Sequence, residues 1–159
     1  MRGIKMVISL HIFFTWLFAG IFLHTAKTAS PRHLAFVFLF IDFLNTNLYY
    51  LAGETFKWFK MSEEPLLYVS FSLLQSLIYP LIVAIAVTAY PLAGFAAKKA
   101  SVLLLSCCLL LGLELLTRYL KIITYDGTGL MIALLGYRLL LLIAAFIALK
   151  CFKRMCAGR

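Results

Sequence analysis

The chain has 159 residues, 64% of them hydrophobic and 13% charged, with a mean hydropathy of +1.01 and a formal net charge of +9. This composition lies far outside that of soluble domains and leaves no room for one beside the apolar runs. Its Lys and Arg are dispersed over the ends of those runs, which argues against nucleic acid as a partner and for contact with lipid headgroups.

Runs of about 20 apolar residues are long enough to cross the hydrocarbon core as helices. The first spans about residues 4–23, behind Arg2 and Lys5. It resembles a signal peptide, but a cut after Ala26 or Ala29 would place His24 or Lys27 at position −3, so it is read as an uncleaved span. The second, about 33–51, carries Asp42, Asn45 and Asn47. At 3.6 residues per turn Asp42 and Asn45 share a face, whereas Asn47 is rotated by about 140° from Asp42. Two oxygen donors are too few for a cation site, so one there would need further carbonyls.

The segment GETFKWFKMSEEP, residues 53–65, sets Trp58 and Phe59 among charges, which suits the headgroup region. The third span, about 66–90, contains Gln75 and then Pro80. A proline there removes a backbone donor and predicts a kink near mid-helix. The fourth, about 100–120, holds Glu114 and Arg118, with Ala100, Ser106 and Gly112 as small surfaces for close helix contact. Asp126-Gly127 gives a turn signal before the fifth span, about 129–149, which contains Arg138. A basic tail with Lys150, Lys153, Arg154 and Arg159 follows. The expected fold is an all-α, polytopic transmembrane bundle of about five spans forming a single domain.

Ionisable residues inside spans are expensive and normally face the bundle interior with a partner. From a rise of about 1.5 Å per residue, Asp42 and Arg138 lie about 13 and 16 Å from the inner ends of their helices, and Glu114 and His11 about 20 Å. Either acid can therefore reach Arg138, whose guanidinium binds a carboxylate through two hydrogen bonds. One expectation is a structural ion pair, Asp42–Arg138 or Glu114–Arg138, supported by Asn45, Asn47 and Gln75. Another is a proton relay or ligand site in which the two carboxylates share one arginine near His11. A third places Glu114 and Arg118 near the interface as an ordinary (i, i+4) pair.

No catalytic residue, cofactor or metal is expected. The chain lacks HExxH, a Gly-x-Ser-x-Gly turn and a phosphate-binding glycine loop. Cys107, Cys108, Cys151 and Cys156 lack ligand spacing and read as packing residues or free thiols, while His24 and His33 read as solvated helix-end residues. The first and third loops and the tail carry about eight Lys and Arg against about six on the opposite side, which favours N-terminus outside and C-terminus inside.

The run HLAFVFLFIDFL after a basic loop, LIYP and AYP in the third span, and LELLTRYLKIITYDG before a last apolar helix resemble an uncharacterised family of small multi-pass integral membrane proteins of spore-forming Gram-positive bacteria. Members of that family carry tryptophans where the last helix begins, and here Gly127, Thr128 and Gly129 stand instead. The resemblance implies a bacterial cytoplasmic-membrane protein of about five helices and no particular activity. The expected function is that of a non-enzymatic membrane component assembling with itself or with a membrane-protein partner in the bilayer. The alternative is a small proton-coupled transporter or channel using Asp42, Glu114 and Arg138, and an enzyme acting on lipid comes last.

Overall fold

In the computed structural model, residues 2–28, 30–125 and 128–157 are described. They form an all-α bundle of up-and-down rods: α1 (Arg2–Thr28), α2 (Pro31–Tyr50), a third rod, α5 (Ala96–Tyr119) and α6 (Thr128–Ala157). The third rod joins α3 (Pro65–Leu73) to α4 (Tyr79–Leu92) through a π-helical turn, Leu74–Ile78. Among the described residues four segments are long and apolar enough to cross a membrane: Lys5–Thr28, Pro31–Thr55, Pro65–Leu92 and Ala96–Tyr119. The fifth apolar run, about 129–149, lies within α6.

The third rod is the hub. Its most apolar window is 72% buried, against 17% for that of α1, and α1, α2, α5 and α6 all pack on it. In water the exposed Phe13, Trp16, Leu104 and Leu105 would be a liability. In hydrocarbon such side chains cost nothing, because lipid tails are as apolar as the core.

The helix boundaries follow from local chemistry. Pro31 and Pro65 stand in the first turns of α2 and α3, where a missing N–H is tolerated, each after an extended residue, Ser30 or Glu64. Helix α5 stops without glycine: Lys121 takes a left-handed φ of 54°. The Ile122 N–H then bonds the Thr117 carbonyl at 3.0 Å and the Lys121 N–H bonds that of Arg118 at 3.0 Å. Together these are the two bonds of a Schellman cap.

Pro80 produces a wide turn instead of the simple kink expected from the sequence. The Tyr79 N–H reaches back five residues to the Leu74 carbonyl. The next donor in line would be the nitrogen of Pro80, which has no proton. The Gln75 carbonyl is thus left without a donor inside its own helix, and this fixes what happens at the polar centre.

Two short strands, β1 (Phe59–Met61) and β2 (Ile123–Tyr125), were not expected. They pair antiparallel, Lys60 opposite Thr124, and close one end of the bundle. Phe59 of the ribbon is buried with Tyr49, Phe71, Ile122 and Ile123. Gly53 permits this seat: a Cβ there would stand 3.0 Å from the Phe59 ring. Exposed Phe56 and Trp58 stack at 5.2 Å beside it, as suits an interfacial aromatic pair. The expected turn at Asp126-Gly127 lies outside the described residues. At the opposite end Phe152 stacks on Phe36 at 4.2 Å and meets the half-buried His33 ring edge-on.

Candidate functional site, a buried polar network

On α2 the buried residues are Leu34, Val37, Ile41, Asn45 and Tyr49, a stripe stepping by three and four. Residues at these intervals lie on one face. Asp42 follows Ile41 and is turned about 100° away from it. Asn45 and Tyr49 therefore enter the core and Asp42 does not. Glu114 continues the buried stripe of Ser106, Leu110 and Thr117 on α5, and Arg138 that of Leu141, Leu142 and Ala145 on α6.

These stripes converge on one network. Arg138, 1% exposed, donates through Nε to Glu114 Oε2 at 2.9 Å, and its Nη2 lies 2.8 Å from the same oxygen. Its Nη1 donates to Asn45 Oδ1 at 2.7 Å, and Nη2 also donates to the Tyr49 hydroxyl. The Tyr49 hydroxyl in turn donates to Glu114, with Oε1 at 3.0 Å, and the Tyr79 hydroxyl donates to Oε2 at 2.9 Å. The guanidinium carbon sits 3.5 Å from the centre of the Tyr79 ring and 4.6 Å from that of Tyr49, within cation–π range. A carboxylate is purely an acceptor, and here two hydroxyls and two guanidinium nitrogens point at it.

The π turn supplies the remaining link. The carbonyl that Pro80 leaves undonated accepts a hydrogen bond from Asn45 Nδ2 at 2.7 Å, and Gln75 Nε2 donates to the Asn45 carbonyl at 2.8 Å. Asn45 thereby holds the hub rod with its amide nitrogen and Arg138 with its amide oxygen. The elements α2, the third rod, α5 and α6 are tied at a single level.

Of the residues singled out in the sequence, Asn45, Gln75, Glu114 and Arg138 are brought together, with Pro80 shaping the backbone. Asp42 is not in the network. It is half-buried and accepts from Thr46 at 3.4 Å, so neither an Asp42–Arg138 pair nor a two-carboxylate site is formed. Asn47 is exposed and bonds the Phe43 carbonyl of its own helix. Glu114 pairs with Arg138 deep in the core, which overturns the interfacial Glu114–Arg118 alternative. His11 is fully buried, but its Nδ1 bonds the Val7 carbonyl at 2.8 Å and its Nε2 has no partner among the described residues, so it does not share protons with Glu114.

Tyr49 and Tyr79 are members that the sequence reading missed. The signal was present: each lies four residues after a buried amide, Asn45 or Gln75, and so on the same helical face. A cleft of about 190 Å³ adjoins the network, with Tyr49, Gln75, Glu54, Tyr68 and Phe71 among its walls. Gln75 Oε1 is buried and has no partner among the described residues. Among the described residues no three His, Cys, Asp or Glu side chains group as a metal site, and Cys107, Cys108 and Cys151 are free thiols.

No protein-family model, curated protein or solved structure matches this chain.

Proposed function

We propose that the chain is a multi-pass, non-enzymatic component of the bacterial cytoplasmic membrane that works by assembling with itself or with another membrane protein. The observation that carries this reading is the saturation of the Glu114–Arg138 centre. A relay or carrier needs a carboxylate that can release its partners, and here side chains from three other helical elements hold it. The network is therefore a structural clamp. It commits the inner faces of the helices to one another and leaves outer faces such as Phe13, Trp16 and Leu23 of α1 for contacts in the bilayer. The bacterial location follows the sequence resemblance, and the N-outside, C-inside orientation follows the distribution of Lys and Arg.

The test is the mass of the purified protein in lipid discs, for wild type and for Glu114→Leu/Arg138→Leu. An assembly larger than one chain, kept in the double variant, is the expected result. A monomer in both overturns self-assembly and leaves the partner, to be sought by in-membrane cross-linking.

The cleft beside Tyr49 and Gln75 favours a second reading, a small transporter or channel entered from the ribbon end. It requires proton or solute flux in vesicles that the double variant abolishes without unfolding.

A further inference from the structure

At the end of the bundle opposite the ribbon, two hollows meet at Lys153. The first, about 350 Å³, runs between α4 and α6 along Val87, Tyr90, Phe146 and Ile147, with Lys150 and Lys153 on its rim. The second, about 270 Å³, shares Pro91, Leu149 and Lys153 with the first but is lined by Thr28, Ser30, His33 and Thr88. One is an apolar channel open on the outer face of the bundle, and the other is a more polar pocket between the end of α1, the start of α2, α4 and α6. Tyr90 meets Phe146 edge-on at 5.2 Å, and Lys99 Nζ stands 5.7 Å from the Tyr90 ring centre.

We infer that this composite hollow binds one anionic phospholipid with a hydroxyl-bearing headgroup, of the phosphatidylglycerol type. The acyl chain lies in the α4/α6 channel, the phosphate between Lys150 and Lys153, and the headgroup in the polar pocket. The order apolar, cationic, polar matches the order of chemistries along such a lipid. The pocket offers acceptors to a headgroup that donates, because the Thr28 and Thr88 hydroxyls already give their protons to the Thr25 and Ala84 carbonyls and keep only lone pairs to offer. Glycerol hydroxyls donate; a choline trimethylammonium cannot, and it would bring a positive charge toward Lys153. Exchanging one membrane lipid for another leaves the chain in an apolar setting either way, so selectivity resides in the headgroup and the lysines. A basic pocket between helix ends is a general way of holding an anionic headgroup. The inference does not depend on the proposed assembly or on the orientation of the chain.

The experiment is native mass spectrometry of the full chain, loaded with phosphatidylglycerol or with phosphatidylcholine of the same acyl chains. At about fivefold per lysine, the wild type is expected to retain phosphatidylglycerol over phosphatidylcholine by about 25-fold, and Lys150→Ala/Lys153→Ala to lose that preference. Lys153→Ala should fall about fivefold where Lys60→Ala, the same charge loss at the ribbon end, leaves retention unchanged. Ile147→Trp, which fills the channel from its exposed side, should lower retention of both lipids without moving the melting temperature. Equal retention of the two lipids by the wild type, or equal loss in Lys60→Ala and Lys153→Ala, overturns the proposal. So does release of phosphatidylglycerol by excess inorganic phosphate with no effect of Ile147→Trp, which would make the hollow a simple anion site.

Discussion

At the scale of single residues, Arg138 and Glu114 owe their stability to complete pairing. A buried charge without its partner is far more costly than an apolar pair of similar size. Arg138→Leu should therefore destabilise the bundle by about 3–5 kcal/mol, and adding Glu114→Leu should recover most of that loss. Thermal unfolding in detergent checks both. The recovery will be incomplete, because Asn45, Tyr49 and Tyr79 would keep polar atoms that had faced the ion pair. Asp42, half-buried with only a long bond from Thr46, makes the opposite prediction. Asp42→Asn, which removes an ionisable group from a span without breaking a buried pair, should not lower stability in the same melts. The contrast between two acids in different spans comes from one helical step, since Asp42 follows the buried stripe position Ile41 whereas Glu114 stands in a stripe.

At the scale of elements, the third rod and the end of α5 each depart from a regular helix for a stated reason. In the third rod the lost donor of Pro80 and the wide turn before it free one carbonyl, and Asn45 occupies it. A defect that would weaken an isolated helix becomes the contact between α2 and the hub. At the end of α5 the Schellman cap is made by Lys121 in a conformation that suits glycine. Lys121→Gly should raise stability by roughly 1 kcal/mol, the usual cost of a left-handed conformation for a residue with a Cβ. Denaturant or thermal unfolding decides the sign. The following run Ile122-Ile123-Thr124-Tyr125 is β-branched and aromatic, the composition of a strand, so β2 carried a local signal although no strand was expected there. Its partner β1 was not, because Phe-Lys-Met acquires strand geometry only where the bundle brings β2 beside it.

At the scale of the whole molecule, the bundle is a hub rod wrapped by helices whose outer faces remain apolar. The two ends are unlike: a ribbon with interfacial aromatics at one, and a lysine-rimmed double hollow at the other. The proposed orientation, C-terminal end inside, predicts that a membrane-impermeant maleimide applied to intact cells leaves the exposed Cys151 unlabelled. A Ser62→Cys variant, at the ribbon end, should be labelled by the same reagent. Labelling of Cys151 from outside would reverse the orientation.

The sequence by itself determined the all-α class and where the long apolar helices lie, because hydrocarbon admits only backbone that satisfies its own hydrogen bonds, and apolar length therefore maps onto helices. It also nominated Asn45, Gln75, Glu114 and Arg138, since polar groups inside such spans must find partners. Which acid meets the arginine was a tertiary decision. Both were placed at depths an arginine can reach, and only the packing of α5 against the hub and α6 faces Glu114 toward Arg138 while the rotation of α2 turns Asp42 away. The tyrosines joined for the same reason: their spacing puts each on the face of a buried amide, but only the tertiary packing brings a carboxylate within hydrogen-bonding distance of the hydroxyl.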